Sequence, residues 1–353
     1  LFCILNSIMK NTLDKWLSRN NQGIKPMNSI HRYFFYNKET NNALWFEKKP
    51  LKKNINFKKN VTVKELNETI IVCGNIETNS DELYNIELNQ TIQHTPLLKS
   101  NLQKAIRRGN LEIALKTSKT LIKTNFNEFL RRIFIIVLED TTAHHCLNEL
   151  AWMCASYPLW KPSKDQINWL LGVVEVITIN PYWDIPIINE TRFDLRKYSE
   201  ELAKLDIFDM SMIYSMVLRA SYGGMICDVN MIHYYANLWF NRLSGKHGDT
   251  HIDLKLRSLE IKPIDICTIK NIKKNEILNE AIDYHCFPEI LKKITDKYDH
   301  INPSHIKKAI WHNNSDYNYR ENYDHNNTYD ILWNLIEGDI KKIQSNILDK
   351  LQL

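Results

Sequence analysis

Two stretches of this chain set histidine and cysteine close to a carboxylate, residue types that hold zinc or pair a nucleophile with a base. One is Asp283-Tyr-His-Cys-Phe-Pro288 with Trp311-His312 further on, where His285, Cys286 and His312 are the candidate ligands and Asp283 can join them or orient His285. The other is His144-His145-Cys146 with Cys154. Neither has the spacing of a known metal motif, and adjacent residues on a helix point to different faces. Cys146 and Cys154 lie eight apart on one helix pattern, which is core spacing. No resident metal is expected, with His285, Cys286 and His312 as the alternative set. The acidic pairs read as helix caps: Glu139-Asp140 for the next helix, Asp206 and Asp209 for the one around Phe208. A phosphate-cradling Gly-x-x-x-x-Gly-Lys-Ser/Thr loop, a dinucleotide turn and a nucleophile elbow are all missing from the sequence. The expectation is therefore no catalytic residue and no cofactor.

Cationic residues are the stronger lead. Lys48, Lys49, Lys52, Lys53, Lys58 and Lys59 put six lysines in twelve residues, flanked by Trp45, Phe46 and Phe57. Lysine answers phosphate by charge and aromatic rings stack on unpaired bases, so this segment is the nucleic-acid candidate. The plainer alternative is a solvated loop whose aromatics serve the core. Arg107, Arg108, Arg131 and Arg132 lie beside the apolar stripes of their helices and are interface candidates, able to clamp phosphate or a partner's carboxylates. Intramolecular pairing with Glu112, Glu128 or Glu139 stands equally open.

The elements that must position these groups are mostly helices. From Leu98 to Leu159 the apolar offsets repeat: Leu111, Ala114, Leu115, Ser118, Leu121 and Ile122, then Phe126, Phe129, Leu130, Ile133, Ile136 and Val137, then Ala143, Leu147, Leu150, Ala151 and Cys154. Gly109 suits a left-handed helix end with Asn110 as the next cap, Asn125 with Glu128 reads as a capping box, and Asp140 can cap the helix around Leu147. Short connections predict antiparallel neighbours. Ser163 with Gln166 opens another helix that Asn180-Pro181 stops, and further helices run on to residue 351, with Asp228 as one cap. Before them, residues 31–36 and 43–46 read as a hairpin, and 61–63 and 69–73 as further strands.

The run Gln103-Lys-Ala-Ile-Arg-Arg-Gly-Asn-Leu-Glu-Ile-Ala-Leu, then Phe129-Leu-Arg-Arg-Ile, then Glu139-Asp140, resembles the C-terminal helical domain of replication-associated recombination ATPases of the MgsA/WRN-interacting group, relatives of clamp loaders. The similarity covers about a quarter of the chain and lacks the family's ATPase motifs. It implies an oligomerising helical domain of DNA-replication proteins without their catalysis. Near the start, Lys10, Leu13, Trp16 and Leu17 resemble the peptide by which partners plug a sliding clamp such as PCNA, an aliphatic residue three before an aromatic pair. Lys10 stands where glutamine is usual, and Leu17 replaces the second aromatic.

Length and composition bound the rest. A chain of 353 residues with 44% apolar content has ample length for a core. A net charge of +5 permits nucleic-acid contact without demanding it. Seven cysteines without regular spacing predict reduced thiols and an intracellular protein, in cytoplasm or nucleus. The first nine residues are too short to span a bilayer, no membrane association is expected, and translation is expected to begin at Met9. The fold class predicted is mainly α, a helical bundle or array with a small N-terminal β region. Four parts are expected: 1–30, a segment with the clamp peptide; 31–95, β-rich with the basic loop; 96–185, the collar-like helical domain; and 186–353, a second helical section. The function expected is a non-catalytic replication or repair accessory that binds a sliding clamp and DNA, including single-stranded DNA, and forms a homo-oligomer. The competing classes are a metal-dependent nucleic-acid-processing enzyme and a structural assembly protein.

Overall fold

The computed structural model describes residues 32–50, 54–63, 68–76, 95–180, 184, 192–246, 253–316 and 328–350, with backbone alone at 283–286, 315, 316 and 328. It is mainly α with a small N-terminal sheet, as predicted. Strands β1 (Arg32–Asn37), β2 (Asn42–Phe46), β3 (Phe57–Val63) and β4 (Glu68–Gly74) line up in the order β2-β1-β4-β3. β1 and β2 form the expected antiparallel hairpin, with Phe34 opposite Trp45, and Asn41 turns the corner at a φ of 50°. β3 returns antiparallel to β4, whereas β1 and β4 run parallel, Phe34 opposite Val72.

Alternation along the strands decides which side meets the helices. Phe34, Tyr36, Trp45, Phe57, Val61, Ile70 and Val72 join the main core, while Phe35, Ile71 and Cys73 form a second small cluster with Tyr33, Phe46 and Ile55 on the other face. The main core is continuous from the sheet through the later helices, so regions 31–95, 96–185 and 186–353 share one apolar interior.

The central helices are α1 (Thr95–Arg107), α2 (Leu111–Asp140), α3 (Cys146–Ser156) and α4 (Lys164–Ile179). Several of their ends obey the predicted chemistry, the start of α3 excepted. Gly109 is left-handed at a φ of 67°, and the Asn110 side chain accepts the Ile113 amide at 3.1 Å. Asn125 does cap, accepting the Glu128 amide at 3.2 Å, but it does so as one non-helical residue inside α2, so the second and third patterns meet at a kink instead of a loop. Beyond α4 come α5 (Ser199–Leu202), α6 (Ile207–Ser221), α7 (Ile226–Leu243), α8 (Asn279–Lys297), α9 (Pro303–Trp311) and α10 (Thr328–Lys350). Asp206 caps α6 through the Phe208 and Asp209 amides, whereas α7 starts after Met225 with Asp228 in its first turn, not at its cap.

α3 is the pivot between sheet and helices. Its Trp152 stacks on Tyr36 at 4.8 Å, meets Phe57 edge-on at 5.6 Å and donates its indole N–H to the Cys73 carbonyl at 2.9 Å. β2 is fastened to α6 alongside: Trp45 stacks on Tyr214 at 5.4 Å and donates to Ser211 and Ser215. Between α7 and α8 an irregular strap with three 3-10 turns (Leu254–Ser258, Ile266–Thr268, Lys274–Glu276) crosses α4 and α2. The crossing needs Gly172, where a Cβ would lie 2.2 Å from the Lys262 carbonyl. Asn168 ties the strap down by accepting the Ile264 and Ile266 amides at 3.0 Å each, and the Lys119 ammonium donates to the carbonyls of Ile266 and Ile269.

Candidate functional site

α3 is apolar almost throughout, and Asn148 and Glu149 are the exceptions near its start. Asn148 is spent on α6, accepting the Ser215 hydroxyl at 3.1 Å. Glu149 turns toward the hairpin instead, where its Oε1 accepts the Ala43 amide at 2.9 Å. Burial pushes its carboxyl from the usual 4.5 up to about 8, and hydrogen bonds from the amides of Ala43 and of Glu149 itself only partly offset that. At neutral pH Glu149 is therefore a carboxylic acid, not a carboxylate.

Beside it sits the Tyr36 hydroxyl, placed by the start of α4. It accepts from the Gln166 side-chain amide at 3.1 Å and donates to Asn41. Gln166 in turn completes the predicted capping box, its Oε1 taking the Ser163 amide at 2.9 Å while Ser163 Oγ takes the Gln166 amide at 3.3 Å. A helix cap legible in the sequence thus also orients a tyrosine from the sheet.

The strap adds a further wall. His144 accepts the Cys146 amide at Nδ1 and so carries its proton on Nε2, which donates to the Leu259 carbonyl at 3.0 Å. Burial holds this imidazole neutral, its pKa lowered to about 4. His145 meets Asp209 at 2.7 Å, and Arg257 grips the same carboxylate at 2.6 and 2.9 Å. Burial alone would raise Asp209; the hydrogen bonds from His145 and Arg257 outweigh it and hold the carboxyl well below the usual range. The adjacent histidines thus do fixed, separate tasks, one bonded to the strap and one to Asp209.

Between these walls lies a cleft of about 570 Å³. Trp160, Trp169, Phe208, Leu259 and Ile261 supply apolar surface, and Glu149, Tyr36 and Gln166 supply hydrogen-bonding groups. Its charged lining is balanced, with Lys38 and Lys161 against Asp165 and Glu260. The arrangement suits recognition: a few fixed polar groups in an apolar recess. The Cys146 thiol lining it is no nucleophile, because burial pushes its pKa far up and keeps it protonated. Among the described residues no three His, Cys, Asp or Glu side chains gather as a metal site.

The residues singled out by sequence lie elsewhere. Lys48, Lys49 and Lys58 are exposed beside the sheet, but Phe57 is buried against Trp152 and offers no ring for stacking. Lys59 alternates inward and donates to the Ala155 carbonyl at 2.6 Å, capping the end of α3. Arg107 is buried in ion pairs with Asp140 and with Glu139, the latter at 3.0 Å, and Gln103 donates to both acids at 2.9 and 2.7 Å. Asp140 is therefore a partner of Arg107, and the next helix, α3, starts after His145, which makes no side-chain cap. Arg132 donates to Gln103, Arg108 donates to the Asn313 carbonyl at 3.2 Å, and Arg131 offers its carbonyl to Arg219 at 3.3 Å. The arginine pairs thus staple α1 to α2 and to later helices. His312 lies 3.6 Å from Asp330. The side chains of His285 and Cys286, and Lys10, Leu13, Trp16, Leu17, Lys52 and Lys53, lie outside the described residues. Glu149 was not foreseen, and its one signal was an acid inside an otherwise apolar helix pattern.

Comparison with protein-family models, with curated proteins and with solved structures finds no match. No helix among the described residues is long and apolar enough to cross a membrane.

Proposed function

We propose that this chain is a non-catalytic binding protein whose folded body holds a small hydrogen-bonding molecule in the cleft between the hairpin, the starts of α3 and α4, and the strap. The observation that carries this is Glu149, a carboxyl only 5% exposed that lines an open recess and that burial keeps neutral. The Ala43 amide satisfies one of its oxygens, and a carboxyl with perturbed ionisation in the lining of a cleft is a candidate for a binding role. The test is a screen of a diverse small-molecule set against the folded protein, read by the indole N–H signals of Trp160 and Trp169. Hits that shift both signals, compete with one another and are lost in Glu149→Met support the reading; a set that leaves both signals in place defeats it.

The replication-accessory role is the setting we propose for that module. It rests on the spacing of Leu13, Trp16 and Leu17, and on the exposure of Lys48, Lys49 and Lys58. Binding of the full chain to the sliding clamp of the same source, abolished by Leu13→Ala with Trp16→Ala, is the expected result. Absence of binding by well-folded protein removes this setting and leaves the cleft reading in place.

A further inference from the structure

We infer that the occupant of the cleft is a flat, uncharged heterocycle presenting a carbonyl or ring-nitrogen acceptor, the class to which free nucleobases and nucleosides belong. The inference deepens the cleft reading and rests on it. Three features of the recess carry it.

First, Glu149 faces the cleft as a hydrogen-bond donor. Its Oε1 is engaged by the Ala43 amide, which leaves the acid proton on the other oxygen, and a ligand that meets this proton must bring an acceptor. Among the described residues no cation pairs with this carboxyl. Second, Trp169, Phe208, Leu259 and Ile261 line the recess, and rings and branched chains favour a planar guest. Third, the charged lining sums to zero, Lys38 and Lys161 answering Asp165 and Glu260, so it gives an anion no advantage.

A donor that is an acid has a pH limit. Ionised Glu149 accepts only, so affinity for the acceptor-bearing ligand falls roughly tenfold per pH unit above about 8. The neighbours that face this carboxyl do not titrate in that window: Tyr36 and Cys146 keep their protons because burial raises both, and His144 is already neutral.

The experiment measures binding of cytidine and adenosine, which stay uncharged across this range, to the full chain by the Trp160 and Trp169 indole signals, at about pH 7 and about pH 9.5. Wild type is compared with Glu149→Gln and Glu149→Met. Saturable binding of at least one nucleoside is expected, weakened at least tenfold at the higher pH. Glu149→Gln should keep the affinity and lose its pH dependence, since an amide donates at either pH; Glu149→Met should lose binding while melting cooperatively. An equal affinity of nucleoside and its monophosphate is expected from the balanced charge. Ligands that bind as cations and are lost in Glu149→Gln would overturn the inference, as would nucleosides that never move the indoles. If other molecules of the diverse set still move them, the cleft reading survives; if none does, both fall.

Discussion

Between α1 and α2, Arg107 meets Asp140 and Glu139 while Gln103 donates to both acids and accepts from Arg132. At the start of α3, Glu149 has the Ala43 amide and an open recess. Both are buried polar sites built from the same kinds of residue. In the first, charge is answered by charge inside the fold, so the group serves as a staple. In the second, the carboxyl finds no cation among the described residues, gives up its charge and faces a space that a ligand can enter. Conspicuous sequence motifs, the double arginines and the Glu-Asp pair, built the staple; an inconspicuous acid built the site.

The largest expected effect breaks the staple. Asp140→Ala leaves Arg107 charged and buried without its main partner, and should cost about 3–5 kcal/mol in denaturant unfolding. Ligand binding by the fraction still folded should be unchanged; a joint loss of stability and specific affinity would erase the contrast between the two regions.

The pH response sharpens it. Glu149 holds its proton in the folded state while the unfolded chain releases it above 4.5, so its contribution is complete below that value and is lost as pH rises through about 8. Melting temperature should therefore fall between about pH 5 and pH 8, and Glu149→Gln should flatten the slope. His144 works with the opposite sign. Its folded pKa is depressed from 6.5 to about 4, so its contribution is present above 6.5 and is lost as pH falls through 4. His144→Gln should remove part of the acid-side loss, which differential scanning fluorimetry from about pH 3.5 to pH 7 would detect. The smallest effect belongs to the lysines: Lys48→Ala, Lys49→Ala and Lys58→Ala together should leave the melting temperature unchanged while lowering any affinity for single-stranded DNA in low salt. A large stability loss in that triple variant would mean that the sheet edge depends on them.

Much of the frame was legible from local chemistry. Gly109 with Asn110, Ser163 with Gln166, and Asp206 each punctuate a helix as their side chains dictate, and the 31–46 hairpin comes from alternation. The parallel pairing of β1 with β4 was not legible, because nothing local to either strand chooses a distant partner. Nor was the strap, which is held by single contacts such as those of Asn168 and Lys119 and has no periodicity of its own. The lysine segment misled because alternation along β3 sends Phe57 and Lys59 inward and only Lys58 outward. Glu149 escaped for a related reason: its significance lies in burial and in the hairpin amide it meets, both set by packing between elements far apart in sequence.

The most direct test of this account is the carbon-13 titration of the Glu149 side-chain carboxyl in the folded protein. A midpoint near 8, moved further up by a bound acceptor ligand, is the result the account predicts. A midpoint at the ordinary carboxylate value, unmoved by any ligand that shifts the Trp160 and Trp169 signals, would contradict it and reduce Glu149 to another solvated acid.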